Sequence, residues 1–532
     1  MYCHINTGGL RGLESYVAQV EVDISRGLPC FDMVGLLASE IKEARERIRV
    51  ALRNAQVNVP AEKITVNISP AGIHKAGTAF DLPVALGIMT AQGMIPAQRL
   101  ENVLVAGELG LNACVKPIRG TLPIVMEAAR MGMKECILPL DNIKEGILAG
   151  DVEIMGVENL QEASLYLCRD EDGRKEMRAR AIERYEQKSE KKDKSVSEET
   201  MDFSVIRGMQ EAKYAAMTAA AGFHNLLLSG PPGAGKTMLA RCIPSILPPL
   251  NKEEQRQISA IYSVAGQLPS GELLTQRPFV SPHHTVSPYA LAGGGSIPKP
   301  GMVTLAHKGV LFLDEMAEFK RSTLDILRQP MEEGKIYLAK SGGNFVYPAD
   351  FMLVAATNPC PCGYFPDRNR CRCTQSEIHR YLSRISGPML DRIDLSCVVR
   401  PVPFQKLWEE GAVRREYVRE TALADMEWNS AAMLDKVMAA RERQKFRYAG
   451  SRICLNGRLG AGEILRYCRL GLAQQQFLEK AAEKMKCSAR ACHRILRVAR
   501  TLADLEEKAE IGCQHISQAI YYRLGEEAFA YE

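Results

Sequence analysis

The stretch Asn225-Leu226-Leu227-Leu228-Ser229-Gly230-Pro231-Pro232-Gly233-Ala234-Gly235-Lys236-Thr237 restricts the fold more than any other part of the chain. A short apolar run, the pattern of a buried parallel strand, empties into a glycine-rich turn and then into Met238-Leu239-Ala240-Arg241, the start of a helix. This is G-x-x-x-x-G-K-[ST] in the strand-turn-helix setting that gives the pattern its meaning. Glycines let backbone N–H groups converge on a triphosphate, and a helix N-terminus adds favourable potential for its oxygens. Gly230, Pro231, Pro232, Gly233, Ala234, Gly235, Lys236 and Thr237 are therefore expected to cradle ATP. Lys236 reaches the β and γ phosphates, and the Thr237 hydroxyl ligates Mg²⁺. An α/β domain with a parallel sheet follows.

Two later strands complete the chemistry. Gly309-Val310-Leu311-Phe312-Leu313 ends in Asp314-Glu315, placing Asp314 to hold the Mg²⁺ shell and Glu315 to polarise an attacking water. Phe351-Met352-Leu353-Val354-Ala355-Ala356 ends in Thr357-Asn358, and a polar Asn358 at that sheet edge can orient water against the γ-phosphate. This succession is Walker A, Walker B and sensor 1 of AAA+ ATPases. Ile385-Ser386-Gly387-Pro388-Met389-Leu390-Asp391-Arg392-Ile393-Asp394 follows. In related rings the arginine of such a sequence reaches the neighbouring subunit's γ-phosphate, so Arg392 is the expected finger, with Arg384 second.

At 532 residues the chain has room for about three domains. Its net charge of +5 is too small over this length to announce nucleic-acid binding by itself. Neither a membrane-spanning apolar run nor a signal-peptide pattern is visible, so a soluble, cytoplasmic protein with no membrane partner is expected.

Residues 1–168 alternate strand and helix patterns. Glu40 to Arg53 carries Ile41, Ala44, Ile48 and Ala51 at helical spacing; Ile64 to Ile68 reads as a strand, Leu82 to Thr90 as a buried helix, and Val103 to Leu109 as another strand. Residues 169–200 interleave basic and acidic side chains with few apolar ones, the composition of a solvated helix or linker. The ATPase core is expected at 201–402, and helical periodicity dominates 403–532. Within it, Ser488 is an N-cap candidate for a helix carrying Arg490, Arg494 and Arg497 along one face.

Cys360-Pro361-Cys362-Gly363 and Cys371-Arg372-Cys373 directly follow sensor 1. Two close pairs separated by a turn-forming loop can offer four thiolates to a structural Zn²⁺, bracing the loop between Asn358 and Arg392. Reduced thiols in a packed loop, or a redox role, are the other readings of these residues.

Phe31-Asp32-Met33-Val34-Gly35-Leu36, Phe80-Asp81-Leu82-Pro83-Val84-Ala85-Leu86-Gly87, Pro282-His283-His284-Thr285-Val286-Ser287, Leu305-Ala306-His307-Lys308-Gly309 and Leu327-Arg328-Gln329-Pro330-Met331-Glu332 resemble, in order and spacing, the magnesium-chelatase-like ATPases of the ComM/YifB family. The resemblance covers nearly the whole chain. It implies a Lon-protease-like (ribosomal S5 domain 2-like) N-terminal domain, a central P-loop AAA+ domain and a C-terminal helical lid, in which Arg490 matches the sensor 2 arginine contacting nucleotide from the same chain. It also implies a homohexamer that uses ATP to move on branched or single-stranded DNA, promoting branch migration in recombination and natural transformation, with recombination proteins as partners. Lon-type proteolysis is not expected: Lys75-Ala76-Gly77 leads to Thr78-Ala79-Phe80-Asp81 and Gly120-Thr121-Leu122 to Pro123, so nucleophile and base are missing. Gly334 to Asp350 reads as a hairpin, which in relatives faces the ring pore, with Lys340 near its tip as a candidate phosphate contact. The rival readings are a magnesium-chelatase-type metal-insertion motor and a protein-remodelling ATPase.

Overall fold

The computed structural model describes residues 1–190, 201–269, 272–295, 298–340, 343–402, 427–451, 453–485 and 487–524. Its N-terminal part is built on a mixed seven-stranded sheet. The strands are β1 (Tyr2–Arg11), β2 (Glu14–Ser25), β3 (Cys30–Val34), β4 (Lys63–Ser69), β5 (Val103–Val105), β6 (Glu135–Pro139) and β7 (Glu153–Val157), in spatial order β3-β4-β2-β1-β5-β6-β7. Antiparallel pairing holds β1 to β2 and β2 to β4; the remaining pairs are parallel. Helix α1 (Ser39–Asn54) buries Ile41, Ala44, Ile48, Ala51 and Leu52, the stripe its spacing predicts. Helix α2 (Asp81–Ala91) is buried along its whole length, as its apolar sequence requires, and α3 (Thr121–Arg130) buries Leu122, Ile124, Val125 and Ala128.

Two expectations for this region need correction. The strand expected from Val103 to Leu109 is broken after Val105, because the N–H of Ala106 bonds Ile137 while that of Gly107 turns to Ala79, and a Cβ at Gly107 would lie 3.0 Å from Leu82 and Val115 side-chain atoms. The charged stretch expected as a solvated helix or linker does begin with a helix, α4 (Glu171–Glu190), but that helix is docked. Arg174 and Arg178 on it are buried and both grip Glu135 of β6, at 3.1 and 3.0 Å. Residues 191–200 of that stretch lie outside the described residues.

Asp81 and Lys75 are committed to structural contacts. Arg47 forks onto both Asp81 oxygens at 2.7 and 3.0 Å, and the wholly buried Lys75 donates to the Pro70 carbonyl.

The second sheet contains β8 (Leu226–Ser229), β9 (Phe279–Val280), β10 (Val310–Leu313), β13 (Met352–Thr357) and β14 (Leu395–Val398); between β10 and β13 the hairpin strands β11 (Lys335–Lys340) and β12 (Gly343–Pro348) stand apart. The order is β9-β10-β13-β8-β14 with every pairing parallel. Each of β8, β10 and β13 is buried at every position, which is why they read as plain apolar runs. The hairpin is present as expected, but the Lys340 side chain and residues 341–342 lie outside the described residues.

Helices cover this sheet: α5 (Gln210–Gly222), α6 (Lys236–Cys242), α7 (Lys252–Ala265), α8 (Gln375–Leu382), and in the C-terminal region α9 (Ser430–Arg447), α10 (Ala489–Leu505) and α11 (Cys513–Leu524). Residues of α5, α9 and α10 share one core with β8 and β14, tied by the Gln444 side-chain amide donating to the Ala221 carbonyl at 2.9 Å. Residues 403–426 lie outside the described part. The N-terminal domain contacts the core where the Gly120 N–H donates to the Ser263 carbonyl of α7 at 3.1 Å and where Arg11 lies 5.9 Å from the Phe345 ring centroid on β12. No described helix is long and apolar enough to cross a membrane.

Glu135 is shared by two buried guanidiniums, and it is the acidic partner of Arg174 at 3.1 Å, whereas Arg178 also reaches Glu153 at 3.0 Å. Glu135→Ala should lower the stability of the N-terminal domain by about 3–5 kcal/mol in chemical denaturation; a loss under about 1 kcal/mol would show that α4 is held by its apolar contacts alone.

Candidate nucleotide site

Strand β8 delivers the glycine-rich turn at the C-terminal edge of the sheet, where ligands of open parallel sheets bind. Gly230 is squeezed between strands: a Cβ there would lie 2.3 Å from the Val399 carbonyl oxygen. Gly233 and Gly235 have φ of 73° and 85°, left-handed backbone that a larger residue resists, and Gly235 caps α6. The turn therefore ends with helix N–H groups directed at its own concavity. Lys236, the first residue of α6, is buried; its ammonium donates to the carbonyls of Gly230 at 2.6 Å and Pro231 at 2.9 Å and to Asn358 Oδ1 at 3.1 Å. Burial pulls its pKa below the ordinary lysine value, with the charges of Asp314 and Glu315 acting the other way.

The next residue meets the second strand end. Thr237 Oγ1 donates to Asp314 Oδ2 at 2.8 Å, across 77 positions of sequence. Hydroxyl and carboxylate oxygens side by side are the hard donors that suit Mg²⁺, so Thr237 and Asp314 fit the ion assigned to them. Asp314 Oδ1 accepts the Glu315 N–H at 3.0 Å, and Glu315 is exposed with φ 50°, an unusual backbone for a non-glycine residue. Walker A, Asp314, Glu315 and Asn358 thus come together on the adjacent strands β8, β13 and β10.

The arginines are arranged differently from each other. Arg392 is tied within its own subunit, donating to Glu332 and to the carbonyls of Arg328 and Pro388, with its side chain 17% exposed. Arg384 is half exposed and pairs with Glu318 at 2.8 Å. Arg490 is exposed in the first turn of α10, whose N-cap is Ser488, accepting the Ala491 N–H as expected. One turn on, the buried Arg494 donates to the carbonyls of Leu390 and Ile393 and pairs with Asp391 at 3.0 Å. The start of α10 is therefore docked on the loop that carries Arg392. Arg500 is likewise buried, donating to the buried Asp504 at 3.0 Å. Two arginines of this basic helix, Arg494 and Arg500, are therefore internal.

One functional node escaped the sequence reading. Asn225, at the mouth of β8, donates from Nδ2 to the Arg392 carbonyl at 2.8 Å and accepts the Leu353 N–H of β13 at 3.0 Å. Its own N–H donates to Asp394 at 3.1 Å, and His224 Nδ1 lies 3.5 Å from the same carboxylate. Although burial pushes the Asp394 carboxyl up, His224 and the other donors hold it below the usual range. His224 Nε2 meets Thr501 of α10 at 2.7 Å. The only signal in sequence was a polar pair opening an apolar strand.

Cys360, Cys362, Cys371 and Cys373 bring their sulfurs within 4.8 Å of one another. Cys360 and Cys371 are buried, and Cys360 Sγ accepts the N–H groups of Gly363 at 3.2 Å and Phe365 at 3.4 Å. The Cys362 thiol is drawn down by the Tyr364 N–H.

Because the space beside Gly230 is filled by Val399, Gly230→Ala should displace the turn and weaken ATP binding by about 100-fold or more, a cost of roughly 3 kcal/mol. Calorimetric titration with a non-hydrolysable ATP analogue measures this; unchanged affinity would mean that β14 yields freely.

Comparison with known proteins finds relatives along nearly the whole chain. Residues 202–407 match the family described as magnesium chelatase, subunit ChlI; residues 20–142 match subunit ChlI of Mg-chelatase, and 427–523 the ChlI C-terminal family. The protein YifB of Salmonella typhimurium is 39% identical over 519 residues, spanning 98% of this chain and 96% of that protein. Competence protein ComM of Haemophilus influenzae is 39% identical over 512 residues, spanning 96% and 95%. A magnesium-chelatase 67 kDa subunit of Chlorobaculum parvum is 29% identical over 167 residues, 30% of this chain and 23% of that protein. With relatives this similar along almost the whole of both chains, the protein belongs to the magnesium-chelatase-like ComM/YifB family of AAA+-type ATPases.

Proposed function

We propose that this ATPase works as a closed ring of six identical subunits that moves on branched or single-stranded DNA and promotes branch migration in homologous recombination and natural transformation. The observation that carries the ATPase half is the convergence of Lys236 on Asn358 and of Thr237 on Asp314 from three strand ends. The DNA half is supported by likeness to a protein named for competence. A cytoplasmic location and recombination proteins as partners belong to the same reading.

Within the site, Lys236 binds the β and γ phosphates, and the turn from Gly230 to Thr237 encloses them with N–H donors. Mg²⁺, when held by Thr237 and Asp314, supplies neutralisation of phosphate charge. Glu315 takes the proton side of the attacking water, and Asn358 orients that water toward the phosphorus. Arg392 acts on the neighbouring subunit's pocket, with Arg384 as the second choice. Reaching across requires Arg392 to exchange Glu332 for phosphate. That exchange gives up a pair to a half-exposed carboxylate, worth about 1 kcal/mol or less at that exposure, together with the hydrogen bonds to the Arg328 and Pro388 carbonyls. Arg490 shares a helix face with Arg494, which is docked on the Arg392 loop. That placement favours Arg490 serving the neighbour's nucleotide beside Arg392, in place of the same-chain contact that the family resemblance implies.

A metal-insertion motor is the second reading, favoured by the similarity to a magnesium-chelatase subunit.

Two variants test the ATPase site, and one further measurement separates the two readings. Lys236→Ala should abolish nucleotide binding. Glu315→Gln should keep nucleotide affinity and lower ATP turnover at least about 100-fold; unaltered turnover would refute its role in positioning water. ATP turnover measured against single-stranded, duplex and branched DNA at moderate salt should rise most with branched DNA. If no DNA stimulates it, the DNA motor is wrong, and stimulation by a tetrapyrrole-binding partner would select the chelatase reading.

A further inference from the structure

The cysteine cluster stands against the nucleotide loop. Gly363, between the two pairs, has φ 85°, and a Cβ on it would lie 2.4 Å from Pro232 Cδ and 2.7 Å from Pro232 Cγ. The two loops are in van der Waals contact through backbone alone on one side. The same segment begins two residues after Asn358, whose Oδ1 accepts from Lys236. Whatever fixes residues 360–373 therefore fixes both a wall of the cradle and the residue that reads its lysine.

The sulfurs have the arrangement of a metal centre. Four thiolates at about 2.3 Å from a tetrahedral ion lie about 3.8 Å apart; Cys360 and Cys371 are 3.8 Å apart, Cys360 and Cys362 3.3 Å, and all four fall within 4.8 Å. No pair among them is disulfide-bonded. The N–H groups of Gly363 and Phe365 both point at Cys360 Sγ, donors that favour the charged sulfur. Clustered thiolates that include two buried ones need a cation. A four-thiolate zinc centre carries two negative charges, and the loop that encloses it holds Arg368, Arg370 and Arg372 against the single acid Asp367. The exposed Arg368 donates to the Cys373 carbonyl at 2.8 Å, and Arg370 lies 4.0 Å from the Tyr364 ring centroid. Soft sulfur ligands in a tetrahedral set select zinc over the oxygen-seeking Mg²⁺ of the nucleotide site.

We propose that Cys360, Cys362, Cys371 and Cys373 hold one zinc ion per chain and that this centre clamps the nucleotide loop through Gly363 and Pro232, so that metal occupancy sets affinity for ATP. The clamp rests on reading Gly230 to Thr237 as the nucleotide cradle; the metal site does not.

The test uses the full chain purified without added metal. Elemental analysis should find about one zinc per chain, and Cys371→Ser and Cys373→Ser should each lose it and bind a non-hydrolysable ATP analogue about tenfold more weakly. Gly363→Ala separates the two parts: it should retain zinc and still lose affinity, because the added methyl pushes Pro232. Protein with no zinc, or with iron in its place, overturns the metal assignment. Gly363→Ala that keeps zinc and full affinity overturns the clamp. Wild-type protein with zinc but without nucleotide binding overturns the nucleotide reading, and the clamp with it, while the metal site stands.

Discussion

Five hydrogen bonds made by Asn225 fix where β8 starts. Its side chain joins β13 through Leu353 and the finger loop through the Arg392 carbonyl; its backbone carbonyl accepts from Asp394 and Leu395, and its N–H returns to the Asp394 carboxylate. A parallel strand slipped by one residue would exchange its two faces. The knot excludes that slip and sets Ser229 beside Thr357 on one side and Val398 on the other. Gly230 therefore leaves the sheet level with Asn358 and Val399, and Lys236 finds its acceptors without adjustment of the backbone.

The same knot reaches Arg392. Arg392 hangs from the carbonyl that Asn225 holds, Asp394 is bound to His224 and Asn225, and Arg494 of α10 closes the loop from the other side. A shift of β8 on filling the cradle would be passed to Arg392 through one asparagine, and to α10 through the His224–Thr501 contact. This gives the ATP site a short mechanical path to the residue proposed to serve the next subunit.

The parts of the candidate nucleotide site were legible in sequence because they are local: a glycine-rich turn runs straight into Lys236 and Thr237, and apolar strands ending in Asp314-Glu315 and Asn358 announce a sheet edge. The N-terminal helices were legible for the same reason, since α1 and α2 declare their burial in their own periodicity. What failed depended on distant partners. Arg174 and Arg178 look solvated until Glu135, some forty positions earlier, is placed beside them. Arg494 looks like part of a basic face until the Leu390 and Ile393 carbonyls arrive from 100 residues away. The cysteines were visible as a cluster because they are close in sequence, whereas the contact of Gly363 with Pro232 was not. One glycine and one proline in separate loops carry no pattern.

The central claim is that a complete ATP site needs two subunits, one giving cradle and carboxylates and the other an arginine. Mixing two inactive proteins tests it directly. Glu315→Gln subunits lack the water-positioning acid but keep Arg392, and Arg392→Ala subunits have the reverse defect. In mixed rings some interfaces pair an intact Glu315 pocket with an intact Arg392. ATP turnover that neither protein shows alone, rising to a maximum at intermediate mixing ratios, is the predicted result; no recovery at any ratio, with mixed assembly verified, would contradict it.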